Sequence, residues 1–197
     1  MAATEPVEQS GDAGTANTGS RRQPVSARAI VSLAVVALLV LGADQLTKLL
    51  VVSNLTPGER NPALGELLQF VFVKNSGAAF SLASGSTWIF SIAASAVTIF
   101  IIVFSHRIRS MAWAILFGML LGGTLGNLVD RLFREPSFGL GHVVDFIQVW
   151  GFPAIFNVAD IFIVSSMGLF IILSIRGVRL DGTREALTDE DSASETK

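Results

Sequence analysis

FNVADIFIVSSMGLFII, residues 156–172, has the length and composition of a helix that crosses a membrane, except for Asp160 near its beginning. About 20 consecutive apolar residues are enough to span the hydrocarbon core as a helix. A carboxylate that faces hydrocarbon is unfavourable by roughly 2.5–3.5 kcal/mol even on the lenient insertion scales. We therefore expect this helix to bury Asp160 against protein, at a functional site.

The rest of the chain also has the composition of a membrane protein. Of the 197 residues, 51% are hydrophobic and 15% are charged, and the mean hydropathy is +0.59. There is no cysteine, which excludes disulfides, thiolate metal sites and a cysteine nucleophile. His106 and His142 lie in different loops, so we expect no metal site, no organic cofactor and no nucleic-acid partner.

Four apolar segments predict an all-α membrane domain over residues 27–176. The polar residues 1–26 and the acidic residues 177–197 are predicted to be disordered. The first apolar segment could instead be a cleaved signal peptide, but Leu41 stands where cleavage needs a small residue, which favours a retained helix. The four helices are predicted near residues 29–52, 87–105, 111–129 and 155–175.

The distribution of Lys and Arg predicts that both termini are cytoplasmic. The connections 53–86 and 130–154 would then face the outside. In the first of these, LLQFVFVKN (67–75) predicts a strand and hence a small β-element on the outer face. The basic residues that set this orientation precede the first helix, fill the second connection and follow the last helix: Arg21, Arg22, Arg28, Arg107, Arg109, Arg176, Arg179 and Arg184.

NLVD (127–130) and NVAD (157–160) repeat one pattern, an Asn three residues before an Asp. Residues at this spacing share a helix face, and antiparallel packing of the third and fourth helices can bring the two faces together. Two facing carboxyl groups share a proton, so one acts as base and the other as acid in amide hydrolysis. We predict Asp130 and Asp160 as this pair, with Asp160 as the ionised base because it lies near a helix N-terminus.

Other residues in the helices have simpler explanations. Asp44 and Lys48 are four residues apart and are expected to form an ion pair. Asp130 could alternatively be an interfacial residue that pairs with Arg131. A groove for close packing of a neighbouring helix is predicted by three glycines at four-residue spacing, Gly118, Gly122 and Gly126.

Two functions other than hydrolysis are compatible with a chain of this kind. A proton-coupled transporter would place polar groups toward both membrane faces, whereas the inner halves of these helices offer little beyond Ser and Thr. An assembly subunit would use the glycine groove to bind partner helices, but that function does not explain the two N-x-x-D faces.

The sequence resembles the bacterial lipoprotein signal peptidases, or type II signal peptidases, in DQLTK (44–48), NSGAAFS (75–81), GGTLGNLVDRL (122–132), VVDFI (143–147) and FNVADIFI (156–163). The resemblance implies an intramembrane aspartic endopeptidase that cuts diacylglyceryl-modified prolipoproteins before the lipidated cysteine, with Asp130 and Asp160 as the catalytic pair. It also implies a multi-pass protein of the bacterial cytoplasmic membrane, with its active site toward the outer leaflet and in contact with membrane lipid. Cyclic peptide inhibitors such as globomycin are expected to bind it.

The resemblance further suggests which residues shape the substrate site. Asp44 and Lys48 match one of the blocks, which extends their expected role from ion pairing to support of the site. We also expect the outer β-element to hold the extended substrate by strand addition along residues 67–80. The residues that the resemblance assigns to the substrate site are Asn75, Gly77, Ala78, Ala79, Asn127, Arg131 and Asn157.

Overall fold

The computed structural model describes residues 26–77 and 87–184. The described part contains the four predicted helices, all of them long and apolar enough to cross a membrane. Residues 1–25 and 185–197, most of the two predicted disordered tails, lie outside it, as do Ala78 and Ala79. The elements are α1 (Ala27–Asn54), β1 (Arg60–Leu64), β2 (Leu68–Asn75), α2 (Thr87–Phe104), α3 (Met111–Phe133), β3 (Val143–Val149) and α4 (Val158–Ile175).

α4 begins at Val158, three residues later than predicted, because the preceding chain is extended. Phe156 forms a β-bridge with Ile147 of β3. Asn157 then caps the helix: its Oδ1 accepts from the backbone N–H of Asp160 at 3.0 Å, and Asp160 Oδ2 accepts from the backbone N–H of Asn157 at 3.1 Å. This reciprocal pair is a capping box, so Asp160 lies in the first turn of α4.

α3 lies at the centre of the bundle and packs against α1, α2 and α4. The predicted glycine groove is confirmed on its face toward α1, where Gly118 lies against the carbonyl oxygen of Leu33 and Gly122 against that of Ala37. Glycine allows two helix backbones to approach this closely. The groove therefore brings the polar C-terminal end of α1 directly against α3.

The three strands form one antiparallel sheet in the order β1-β2-β3. The predicted strand over 67–75 is confirmed as β2, but β2 is the central strand. β1 pairs with residues 68–71 only, so this part of β2 has a neighbour on both sides and cannot accept an added strand. For residues 72–75 and the loop beyond them, strand addition stays a prediction. In the β2–β3 register, Asn75 lies opposite Val143 and Val73 lies opposite Asp145. Asn75 and Asp145 are thus diagonal neighbours on one face of the sheet.

Residues 177–184, which the sequence assigns to a disordered tail, are ordered. The carbonyl oxygen of Leu180 accepts from the backbone N–H groups of Arg109 and Ser110, each at 2.9 Å. The indole of Trp113 donates to the carbonyl oxygen of Val178 at 2.9 Å. Leu180 and Val178 also pack against the helix core. These contacts extend the folded domain beyond its predicted end at residue 176.

The close approach of α1 and α3 predicts that Gly122→Ala destabilises the fold. A Cβ at this position would lie 2.6 Å from the carbonyl oxygen of Ala37, a backbone atom that cannot turn aside. We expect the free energy of unfolding to fall by about 1–3 kcal/mol, as in other overpacked cores. The measurement is Tm in detergent. Gly168→Ala in α4 is the control, because its Cβ meets nothing within 4 Å; equal Tm values for the two variants would contradict the prediction.

Candidate active site

A buried network of charges connects the C-terminal ends of α1 and α3. Lys48 Nζ lies 2.8 Å from Asp44 Oδ2 and 2.9 Å from Asp130 Oδ2, and all three side chains are fully buried. The predicted ion pair of Asp44 and Lys48 is thus confirmed and includes Asp130. Arg134 Nε contacts Asp130 Oδ1 at 2.6 Å. Two carboxylates and two cations therefore balance one another, as burial of charge requires.

Asp130 is anchored on all sides. Its exposed fraction is 0%. Among the described residues, none of its hydrogen bonds or ion pairs reaches Asp160, so the structure does not bring the predicted pair into contact. Its carboxylate accepts from Lys48 Nζ at 2.9 Å, Arg134 Nε at 2.6 Å, Gln45 Nε2 at 3.3 Å and the backbone N–H of Val144 at 3.1 Å.

The alternative pairing of Asp130 with Arg131 is wrong. Consecutive residues of a helix point in different directions, whereas residues four apart lie side by side. The ion pair within α3 is accordingly made by Arg134, and Arg131 points toward α2.

Asp160 lies in a different setting from Asp130. Its Oδ1 accepts from Asn127 Nδ2 at 2.9 Å, and its Oδ2 accepts from the backbone N–H of Asn157. The first turn of a helix favours negative charge, since its N–H groups and dipole point toward the anion. Asp160 is half-buried and so keeps exposed surface. Its carboxyl group is therefore held by two donors and remains accessible.

The carboxyl group that the structure associates with Asp160 is Asp145 of β3. Asp145 accepts from Asn75 Nδ2 at 2.7 Å and from Asn157 Nδ2 at 2.6 Å. Asn157 thus bonds to Asp145 through its side chain and to Asp160 through the capping box. Burial raises the pKa of Asp145 to about 6. The charge of Asp160 contributes to this rise, while the hydrogen bonds from the two amides and the charge of Lys48 oppose it.

The two N-x-x-D faces do meet, but through their amides. Asn127 Oδ1 accepts from Asn157 Nδ2 at 3.1 Å and from Lys48 Nζ at 3.0 Å. Residues three apart on a helix differ in direction by about 60°, since each residue turns the helix by about 100°. Asn127 therefore points toward α4, while Asp130 points toward α1.

Arg131 and Gly77 lie at the side of this site. The guanidinium of Arg131 stacks over the ring of Phe90 at 5.1 Å, and its exposed fraction is 9%. Its Nη1 is buried and, within the described residues, has no hydrogen-bond partner. Gly77 has φ +87° and donates its backbone N–H to Asn75 Oδ1 at 2.7 Å. Arg131 therefore presents a buried N–H group beside Gly77.

The structure brings together seven of the predicted supporting residues, and it adds one residue that sequence reasoning missed. The missed residue is Asp145, which the sequence contains within VVDFI (143–147). An acid within a short, otherwise apolar strand is an available signal, because such a strand is buried on both faces. The predicted residues that lie in or beside the site are Asn75, Gly77, Asn127, Arg131, Asn157, Asp44 and Lys48.

Two carboxyl groups held by amide donors, Asp145 on β3 and Asp160 in the first turn of a membrane-spanning helix, are compatible with a membrane-embedded hydrolase. More specifically, the chain belongs to the signal peptidase II family of membrane proteases. The profile of that family, Peptidase_A8, "Signal peptidase (SPase) II", matches residues 36–176.

Relatives and solved structures agree with this assignment. The lipoprotein signal peptidase of Leifsonia xyli subsp. xyli is 62% identical over 83% of this chain and 76% of its own. The lipoprotein signal peptidase of Rhodococcus jostii is 44% identical over 84% of this chain and 83% of its own. A bacterial membrane enzyme solved by the in meso method at 1.9 Å is 26% identical and superposes with a TM-score of 0.67, over 78% of this chain and 97% of its own. The chain is therefore a multi-pass membrane protease.

The loop after β2 predicts a loss of activity for Gly77→Ala. A Cβ there would lie 2.7 Å from the Phe90 ring, and the positive φ is itself strained for alanine. We expect kcat/KM to fall at least about tenfold, because a small displacement of site residues is costly to turnover. Gly139→Ala is the control, since its φ is +77° but its Cβ meets nothing within 4 Å. Cleavage assays should show a clearly smaller loss for this control; equal losses would contradict the role of the Phe90 contact.

Proposed function

We propose that this protease removes the signal peptides of diacylglyceryl-modified prolipoproteins by cutting before the lipidated cysteine, with Asp145 and Asp160 as its catalytic pair. The observation that carries the pairing is the position of Asn157. Its side chain donates to Asp145 at 2.6 Å, and its capping box holds Asp160. Membership of the signal peptidase II family supports the substrate class.

Asp130, the acid predicted from the sequence, acts in this proposal as a structural anchor. It has no exposed surface and its oxygens are occupied by two cations and two further donors. Protonation would leave Lys48 and Arg134 without a full counter-charge inside the protein, which is costly. Asp145 forms no ion pair within the described residues, and burial, the largest influence on its pKa, favours its neutral form.

The reaction needs no group beyond these two carboxyls and water. Asp160 takes a proton from water as the water oxygen attacks the carbonyl carbon, and Asp145 gives its proton to the carbonyl oxygen. A neutral diol results. Asp145 then takes back a diol proton while Asp160 protonates the amide nitrogen, and the C–N bond breaks. Both carboxyls end in their starting protonation states, so the cycle is balanced.

Substrate binding follows from the same geometry. The acyl chains of the substrate keep its cleavage site near the membrane surface, and the carboxyls lie where α3 and α4 approach that surface. Arg131 Nη1, which has no hydrogen-bond partner among residues 26–77 and 87–184, is suited to donate to a substrate carbonyl beside Gly77. We place the substrate backbone at this loop, since residues 68–71 of β2 are already paired on both sides. Globomycin-type cyclic peptides would occupy the same place.

The orientation of the site rests on charge. Lys and Arg are concentrated at the termini and in the short connection between α2 and α3. This distribution supports cytoplasmic termini and an active site at the outer leaflet of the bacterial cytoplasmic membrane.

The assignment of the pair predicts that two Asp→Asn variants lose activity and that a third loses stability. We expect Asp145→Asn and Asp160→Asn to fold and to lose about a thousandfold or more in kcat, because each loses the acid or the base of the reaction. Asp130→Asn should instead lower Tm, since breaking a buried ion pair costs about 3–5 kcal/mol. The measurements are cleavage of a diacylglyceryl-modified prolipoprotein by purified protein and Tm in the same detergent.

Two results would contradict this assignment. One is a folded Asp145→Asn variant with turnover near that of the wild type. The other is an Asp130→Asn variant whose Tm is unchanged and whose activity is abolished. Asp181→Asn, in the exposed turn at the end of the described chain, is the matched control and should change neither quantity.

The pKa of Asp145 predicts a pH dependence. In the free enzyme Asp145 must be protonated to act as the acid, so kcat/KM should decline as pH rises through about 6. Asn75 donates to the ionised form and thus lowers this pKa. Asn75→Ala should therefore move the alkaline limb of the profile to higher pH, whatever it does to the maximal rate. Asn54→Ala, at the exposed end of α1, should leave the limb in place. A limb that moves to lower pH in Asn75→Ala would refute the assignment of Asp145 as acid.

A further inference from the structure

A second cavity lies on the other side of β3 from Asp145. It has a volume of about 320 Å³ and opens where α1 and α3 end. Successive side chains of a strand point to opposite faces, so Lys74 and Val144 face this cavity while their neighbours Asn75 and Asp145 face the active site. The cavity is therefore separate from the carboxyl pair.

The wall of the cavity carries both hydrogen-bond donors and a hydrogen-bond acceptor. Lys74, Arg134 and His142 supply donors, and Glu135 supplies an acceptor. Lys74 Nζ contacts Glu135 Oε2 at 3.0 Å, with side chains that are 50% and 84% exposed. An exposed pair of this kind is worth at most about 1 kcal/mol, so a ligand can readily open it.

Arg134 offers donors to this cavity as well. Arg134 donates to Asp130 from Nε, and its side chain is 29% exposed. A guanidinium has five N–H donors, so the Nη groups remain to bind an acceptor. Among the described side chains of the wall, the charges of Lys74 and Glu135 cancel, and Asp130 offsets Arg134. The cavity is thus close to neutral and suits a ligand that brings both an acceptor and a donor.

The floor of the cavity is apolar and lies at the end of the membrane-spanning helices. Val52 is two residues from the end of α1, and Phe133 is the last residue of α3. Their exposed fractions are 42% and 74%, so the floor continues onto the lipid-facing surface. Polar groups above and apolar groups below match the order of headgroup and acyl chain at a membrane surface.

We propose that this cavity binds a phospholipid of the outer leaflet whose headgroup carries hydroxyl groups, with phosphatidylglycerol as the representative. The phosphodiester accepts from Lys74 and Arg134, and a headgroup hydroxyl donates to Glu135. The acyl chains run down over Phe133 and Val52, where burial of apolar surface adds to the affinity. Because the cavity is nearly neutral, a soluble anion without acyl chains gains too little to bind.

The test titrates the purified full-length chain in detergent with defined lipids and counts bound lipid by native mass spectrometry. The wild type should bind one phosphatidylglycerol in preference to phosphatidylcholine, which has the phosphodiester but no hydroxyl donor. Lys74→Gln should weaken this binding about five- to tenfold, as expected for loss of one charge-assisted hydrogen bond. Arg60→Gln, which removes an exposed cation from β1 on the same sheet, is the matched control and should bind as the wild type does.

Two outcomes would overturn the proposal. Equal binding of both lipids, unchanged in Lys74→Gln, would mean that the bound lipid is bulk lipid around the helices. Displacement of phosphatidylglycerol by millimolar inorganic phosphate would mean that the cavity is a site for soluble anions. Neither readout depends on proteolysis, so the result stands apart from that of the cleavage assays.

Discussion

The buried ammonium of Lys48 is the constraint on which the rest of the structure depends. An isolated cation in this position would be prohibitively costly, and the protein surrounds it with two carboxylates. Asp44 extends the connection to α4, because its Oδ1 accepts the backbone N–H of Ala159 at 2.9 Å. One charge on α1 thereby sets the relative positions of α3 and α4. The glycine groove of α3 makes this geometry sterically allowed, since it brings the helix backbones close enough for short side chains to meet.

The same network divides the carboxyl groups into two kinds. Asp44 and Asp130 are fully buried and paired with cations, so their charge is part of the fold. Asp145 and Asp160 are held by amides instead, and amides can serve either protonation state of a carboxyl group. Lys48 contributes to both groups, because it also donates to Asn127, whose other end donates to Asp160. The cation fixes the orientation of the Asn127 amide, so that an N–H group of this amide points toward Asp160.

The sequence was sufficient for the helices, the strand β2 and the pairing of Asp44 with Lys48. Each follows from local rules: length and hydropathy, period and i,i+4 spacing. The proposed partner of Asp160 was not predictable in this way. Asp130 and Asp145 both lie at the same end of the helical bundle, and the choice between them depends on which helix face meets α1 and on the register of β2 with β3. Both are long-range properties that spacing along the chain does not contain.

Asn157 shows why fold and chemistry cannot be separated here. As the cap of α4 it satisfies backbone donors that a helix start must satisfy in any protein. The β-bridge of Phe156 with Ile147 holds the preceding chain beside β3, and this places the free amide end of Asn157 against Asp145. If α4 began earlier, as the hydropathy predicts, Asn157 would point elsewhere, and the buried Asp145 would lose this hydrogen-bond donor. The residues between β3 and α4 thus act as a spacer. Their extended conformation brings Asp145 of β3 and Asp160 of α4 to the same residue, Asn157.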